Sequence, residues 1–538
     1  MGFVHPIPPP ATLTLPQRWA ACIAMAAILA AVLAVSVQRT HFGIGPESDF
    51  AGSFGPEAQR ILAGRPLHLN FHPPGYSFAL AVGHWLAGGW LAAGLLVSGL
   101  SALLLMAACF QSYQRTVGTA AAFGALAAIA CSTPFFTFAS SASSDMLFAA
   151  LVYSVLALVA LASRDRERAG VWVCTGLLAG LLLLTRTNGV VALAVFIVPF
   201  LTPDAPARRL RNFALLFAAF LVPTLLWVAY AGATNSPLWP VRNHMNLAVA
   251  AYADESGPFA DLADLLDYRF GNIVDVLMYD PARMVSRFAE RLLSLPRIIA
   301  RSLTWLPLIV LAVPGSILVL WRHRSLPFLF TLLMLGGLTL LSGILAFQTR
   351  FYLVLIPFFG AMAGAAVGYA LERFAAPRGL RVTSCAILLV IVAVVAVRAY
   401  LPVLPKLEST MQFEIGEAIP YVKRIVETDA TIFARKHNLG FETGRTTKPV
   451  VNVPSIAALH DKLCAELEPG RAGYLYFGLM ERRYLGQLHA ELTPAKPVPW
   501  LEPVARGRRA EWSLYRFQPD SPERSPGSTC TVSVPAGT

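Results

Sequence analysis

Apolar runs of roughly 20 residues recur from Arg18 to about Leu401. Each is long enough to cross a hydrocarbon core about 30 Å thick. In lipid no water is available to satisfy backbone N–H and C=O groups, so such runs must close their hydrogen bonds within a helix. The composition agrees: 56% of the 538 residues are hydrophobic and 14% are charged, against about 25% charged in an ordinary soluble domain. The chain therefore reads as a polytopic α-helical membrane protein. The expected spans are 19–37, 76–110 (a short re-entrant piece plus a full crossing), 117–138, 146–162, 171–185, 188–202, 212–231, 302–321, 326–346, 351–371 and 382–402, about 11 in all. The first is long, flanked by prolines and a single Arg18, and followed by many others. It reads as a retained helix rather than a cleaved signal peptide.

A formal net charge of +12 raises the question of nucleic acid. The positions of the charges point elsewhere. Basic residues collect in short connectors: Arg115; Arg164, Arg166 and Arg168; Arg208, Arg209 and Arg211; Arg322 and Arg324; Arg373, Arg378 and Arg381. Lysine and arginine in short loops mark the cytoplasmic side. With the N-terminus in the cytoplasm, alternation puts every one of these clusters inside. It puts the 38–75 loop, the 232–300 loop and the C-terminal tail outside. The 171–202 region tests this count, because two short helices joined at Arg186-Thr187-Asn188-Gly189 and one longer helix give opposite orientations downstream.

Residues 1–402 form the expected membrane domain. In the 232–300 loop, Asp261, Asp264 and Asp267 repeat every three residues, and Arg283, Arg287 and Arg291 every four. Apolar residues lie between the arginines, a pattern for helices lying in the membrane interface. Beyond Tyr400 no spanning run remains. Strand-like runs (430–434, 450–453, 473–477, 512–517) alternate with helix-like stretches, which predicts a small soluble α/β domain over 403–518. Residues 519–538, rich in Ser, Pro and Gly, predict a disordered tail. Of seven cysteines, Cys22, Cys109, Cys131, Cys174 and Cys385 fall in or beside apolar runs and read as small packers. Cys464 and Cys530 allow a disulfide in an oxidising compartment. No metal-type spacing occurs.

Candidate chemistry sits at the outer ends of the spans. Asp49 follows the first span by about a dozen residues, with Glu47 two positions away; either can serve as a general base at the outer surface, and both also fit an ordinary solvated loop. His72 enters the second span ahead of Pro73-Pro74, which set the chain direction. Asp145 opens the fourth span after a serine run, where an acid also complements the helix dipole. Arg186 interrupts an apolar run, and an ionisable group at membrane depth marks a functional position. Arg350, followed by Phe351 and Tyr352, sits at the outer end of the tenth span; it suits a lipid phosphate and equally a snorkelling helix end.

The order of these pieces resembles the integral-membrane glycosyltransferases of the GT-C superfamily, including protein mannosyltransferases and aminoarabinose transferases. The matching residues are the outer acid, Arg60-Ile-Leu-Ala-Gly-Arg-Pro66, His72-Pro-Pro-Gly-Tyr76, Ser144-Asp145, Gly176-Leu-Leu-Ala-Gly180 running to Gly189, and Arg350-Phe351-Tyr352 leading to Pro357. They cover roughly residues 40–400. The resemblance implies a hexosyl or pentosyl transferase that moves a sugar from a polyprenyl-phosphate carrier to an extracytoplasmic lipid, glycan or protein, with inversion. By position, Asp49 would activate the acceptor, with Glu47 beside it. Arg350 and Arg186 would hold the carrier phosphate, and His72, Asp145 and Tyr352 would contact substrate. Several branches carry two adjacent acids in this loop, whereas Ser48 here separates Glu47 from Asp49. The lipid-linked sugar is the only cosubstrate implied: no Gly-rich phosphate loop occurs, and a divalent metal stays open. The setting implied is a bacterial inner membrane and a role in cell-envelope glycan biosynthesis. A transporter or flippase for a lipid-linked or small polar substrate is the alternative. It predicts ionisable groups deep within several spans, whereas these cluster at one outer face.

Overall fold

The structure is a computed structural model. It describes residues 13–41, 49–164, 168–252, 270–302, 306–322, 325–345, 349–373, 411–450, 453, 455–484, 488, 492 and 498–519. Glu47, the Asp261/Asp264/Asp267 repeat, the expected 382–402 span and residues 520–538 of the tail lie outside them. The chain divides into two compact units. One comprises Met1–Ser36, Glu57–Ala251 and Val276–Pro402; the other comprises Val37–Pro56, Tyr252–Asp275 and Val403–Thr538.

The first unit is helical. The elements that lie wholly or mostly in it begin with α1 (Leu15–His41), α2 (Gly55–Leu62), α3 (Gly75–Ala87), α4 (Trp90–Thr116), α5 (Thr119–Ala130), α6 (Thr133–Ala139) and α7 (Ser144–Ala162). They continue with α8 (Ala169–Thr185), a 3-10 segment (Thr187–Ile197), α9 (Val198–Leu201), α10 (Pro206–Thr234) and α11 (His244–Tyr252). After α12 (Ile273–Tyr279) come α13 (Pro281–Ser302), α14 (Leu306–Arg322), α15 (Leu326–Leu345), a short 3-10 turn (Thr349–Tyr352) and α16 (Leu355–Arg373). Six helices among the described residues are long and apolar enough to cross a membrane, or seven if the α5–α6 pair, bent by 72°, is one span. That count covers the described residues alone, and the expected 382–402 span lies outside them. The expected 171–185, 188–202 and 302–321 spans fold as shorter apolar helices. At the 171–202 joint, Arg186 is extended (φ −149°, ψ 148°) and separates α8 from the 3-10 segment, so the region is two elements rather than one.

Lipid supplies little hydrophobic drive between helices, so close packing of small residues does that work. Gly124 on α5 lies directly against the backbone of Gly360 and Gly364 on α16. Polar pins add direction. The Tyr153 hydroxyl on α7 donates to the Val354 carbonyl (2.8 Å) and receives the Tyr113 hydroxyl from α4 (3.1 Å). This bond holds the turn before α16 onto α7.

The second unit centres on a mixed sheet of order β2-β1-β3-β5-β4. The strands are β1 (Thr431–Ala434), β2 (Thr446–Pro449), β3 (Gly473–Phe477), β4 (Leu501–Arg506) and β5 (Ser513–Phe517). β1 pairs parallel with β2 and β3, and β5 joins β3 and β4 antiparallel. β1 and β3 are buried along their whole length, as expected of parallel strands covered on both faces. The helices are α17 (Met411–Ile425), α18 (Asn438–Thr443), α19 (Ile456–Glu466) and α20 (Leu479–Tyr484). Phe433, Leu459, Leu463, Leu475 and Phe517 fill the core. Cys22, Cys109, Cys131 and Cys174 are free thiols, and Cys464 is disulfide-bonded.

Candidate functional site

The site is built where α7 begins, α8 ends and the 3-10 turn before α16 passes. Asp145 lies in the first turn of α7, 4% exposed. Its Oδ1 pairs with the Arg186 guanidinium, and Arg186 Nη1 also donates to Ser144 Oγ at 3.2 Å. Asp145 Oδ2 is buried with no hydrogen-bond partner among the described residues. Arg186 is held by aromatic faces as well, its guanidinium 4.8 Å from the Phe351 ring centroid and 5.9 Å from that of Phe148. Arg350 approaches the Phe351 ring at 5.3 Å. One ring therefore serves two guanidiniums, each contact worth about 0.5–2 kcal/mol depending on desolvation.

Sequence geometry explains why Arg186 stands there. Gly75 begins α3, and a Cβ on it would lie 2.6 Å from the Leu184 carbonyl oxygen and 2.9 Å from the Thr185 nitrogen. The Pro-Pro-Gly entry into α3 thus rests directly on the end of α8, just before Arg186. The Arg350–Tyr352 turn is set by the Tyr153–Val354 bond, on the same helix that carries Asp145.

Three of the residues singled out from the sequence, Asp145, Arg186 and Arg350, are gathered by these contacts, and Tyr352 lies in the same turn as Arg350. His72 is half-buried in the bend before the buried Pro73 and Pro74. The strand-like stretch before it is tied down by Val241 N–H to Leu69 O (2.9 Å) and Arg242 N–H to Asn70 O (2.8 Å). Asp49 belongs to the second unit, at the start of a π-helix over Phe50–Phe54, where its side chain makes no capping bond.

Three residues were not foreseen. Phe351 appeared only as motif context, yet it joins the two arginines. Arg291, one of the arginines of the four-residue repeat, also acts by its charge on Tyr352. Burial pushes the Tyr352 hydroxyl up to about 12, with Arg291 opposing. Burial and the Arg287 charge lower Arg291, with Tyr352 and Glu290 opposing. Its four-residue spacing was visible, but not which neighbour it faces. Glu57 on α2 is buried and accepts the His68 N–H at 3.0 Å. Burial raises its pKa against that bond and the charges of Arg60 and His68. It pins the return of the loop between α2 and α3. Among the described residues, no group of three or more His, Cys, Asp or Glu is placed to hold a metal ion.

Residues 71–229 match the family model of dolichyl-phosphate-mannose-protein mannosyltransferases. The whole structure resembles ArnT from Cupriavidus metallidurans solved with undecaprenyl phosphate (TM-score 0.52, 15% identity, 91% of this chain and 97% of that one). The fold is that of the GT-C membrane glycosyltransferases. Two structures of the Archaeoglobus fulgidus oligosaccharyltransferase extend the likeness: the apo form (TM-score 0.52, 12% identity, 93% and 75% covered) and AglB with an inhibitory peptide and a dolichol-phosphate (TM-score 0.50, 11%, 95% and 76%). No curated protein matches the chain. In this GT-C fold the family match contains α3, α7 and α8, the elements that place Asp145 and Arg186.

Proposed function

We infer that the chain transfers a sugar from a polyprenyl-phosphate carrier to an acceptor outside the cytoplasm, with inversion at the anomeric carbon. The Asp145–Arg186–Phe351–Arg350 cluster carries this reading. Two guanidiniums, with Arg291 near Tyr352, outweigh one carboxylate, and such a group suits a phosphate. Asp145 orients Arg186 and limits the excess charge.

In the proposed reaction Asp49 takes the proton from the acceptor hydroxyl, with Glu47, two positions earlier in the sequence, as the other carboxylate of that loop. That oxygen bonds to the anomeric carbon as the carbon–oxygen bond to phosphate breaks, and the electron pair leaves on the polyprenyl phosphate. Arg350 and Arg186 stabilise the charge that develops there, and a nearby carboxylate favours the oxocarbenium-like transition state. His72 lines the acceptor side. The lipid carriers named with ArnT and AglB support the class of donor. The disulfide at Cys464 supports an oxidising, extracytoplasmic side for the second unit, and a bacterial inner membrane is the setting that fits.

Undecaprenyl phosphate is the probe for the first test. Arg350→Ala should weaken its binding by about tenfold or more, since a charged hydrogen bond contributes about 1.5–3 kcal/mol. Asp49→Asn should bind it normally and lose sugar transfer by about 10²–10⁴. Full transfer by Asp49→Asn at equal expression removes Asp49 from the mechanism. In cells, deletion should cause a polyprenyl-phosphate sugar to accumulate and so identify the donor. Accumulation on the cytoplasmic face alone, with transfer intact in broken membranes, would instead favour a flippase.

A further inference from the structure

The turn that carries Asp49 has an unusual backbone and a specific seat. Residues Phe50–Phe54 form a π-helix. This wide turn is rare, appears mostly as single turns, and is frequent at functional sites. Phe50, Ala51 and Phe54 are all buried, so the turn is held by packing. Within the second unit, what it packs on is α18, far along the chain.

The Phe50 ring meets the Phe441 ring edge to face, at 5.8 Å and 90°. At the other end of the turn, a Cβ on Gly55 would lie 2.8 Å from Phe441 Cε2, and closer still to the ring tip. Between them, the Cβ position of Gly52 is 3.9 Å from His437 Cδ2. The turn thus straddles the beginning of α18, with Phe441 wedged between its two ends. The absence of a side chain at Gly55 makes room for that ring.

The seat is itself anchored. Asn438, Leu439 and Thr443 of α18 are buried. The Arg445 guanidinium donates to the Thr443 carbonyl (2.5 Å) and to the Val426 carbonyl (2.7 Å). It ties the end of α18 to the end of α17. Helix α18 also follows directly from β1, the central parallel strand.

We propose that Phe441 is a positioning residue for glycosyl transfer: it holds the π-turn that sets the backbone of Asp49. A displacement of about 1 Å in a reacting group can cost about 10²-fold in rate, so loosening this seat acts on turnover and not on carrier binding. The inference rests on the Asp49 role above.

The test uses the full chain in lipid nanodiscs and compares Phe441→Ala, Phe441→Leu and Phe441→Tyr. Amide hydrogen exchange should accelerate over 50–56 in Phe441→Ala, with 431–434 and 473–477 still protected. Undecaprenyl phosphate should bind as in the parent, while transfer from the native lipid-linked sugar pool falls tenfold or more. Phe441→Tyr, which keeps the ring, should restore transfer. Unchanged exchange over 50–56 overturns the docking. Faster exchange with unchanged transfer overturns the positioning role. If alanine unfolds the unit, Phe441→Leu decides by the same two readouts, because it fills the core without the ring. Asp49→Asn separates the two ideas: full transfer in that variant sinks the base role, while the exchange result still judges the seat.

Discussion

Asp145 and Arg186 are each explicable alone, as a helix-start acid and a helix-end cation. Together they are a buried pair whose charges depend on each other, with side chains only 3% and 11% exposed. Removing one partner of a buried pair typically costs about 3–5 kcal/mol, because the other charge stays buried uncompensated. Asp145→Ala should therefore lower the thermal midpoint of the nanodisc-embedded protein. The double variant Asp145→Leu/Arg186→Met should regain most of that stability without regaining undecaprenyl-phosphate binding. Recovery of both would make the pair purely structural. The residue types were visible in the sequence, and so was their place at the ends of apolar runs. What was not visible is that Arg186 and Arg350 both approach the Phe351 ring, or that Arg291 acts on Tyr352. Side-chain direction across a turn and across separate helices is set by packing, and no local periodicity reports it.

The helix ends do the positioning. The Pro73-Pro74-Gly75 entry reads from sequence as a device for starting α3, and the prolines do serve that purpose. The glycine has a second task, since the end of α8 lies where its side chain would be. Gly75→Ala should push α3 off Leu184 and Thr185, costing about 1–3 kcal/mol as overpacking does, and should weaken carrier binding by moving Arg186. Gly99→Ala on α4 is the control, because its Cβ meets nothing within 4 Å. There alanine should be neutral or stabilising by up to about 1 kcal/mol. Equal thermal midpoints for the two variants would dismiss the close contact. The break at Arg186 is also an element-level outcome: the polar Arg186-Thr187-Asn188-Gly189 run marked the place, but the extended backbone there distinguishes two elements from one.

Across the molecule, two units with separate cores should respond separately to pH. In the second unit, the Glu414 carboxylate on α17 is buried and accepts the Tyr476 hydroxyl at 2.5 Å and the Leu479 N–H at 2.8 Å. Burial raises it to about 7 against those bonds and the Arg482 charge, while Glu481 raises it further. Its ordinary value is 4.5. Between 4.5 and about 7 the folded unit holds a proton that the unfolded chain has released. The stability linked to Glu414 is therefore greatest below 4.5 and falls as pH rises toward 7. Glu414→Gln should flatten that part of the pH dependence of the second unit's melting and leave the helical unit's melting unchanged; an unaltered slope would falsify the assignment. Hydropathy and charge placement alone determined that this chain is helical and membrane-embedded, which connectors are basic, and which polar residues stand at span ends. Those properties follow from partitioning of each residue between water and lipid, and they are local. Only the tertiary structure decided that Arg186, paired with Asp145, and Arg350 share one aromatic ring, and that the Asp49 turn rests on Phe441. Those arrangements come from close approach of segments far apart in the chain. Small residues and buried rings permit that approach, and each position contributes only in the company of the others.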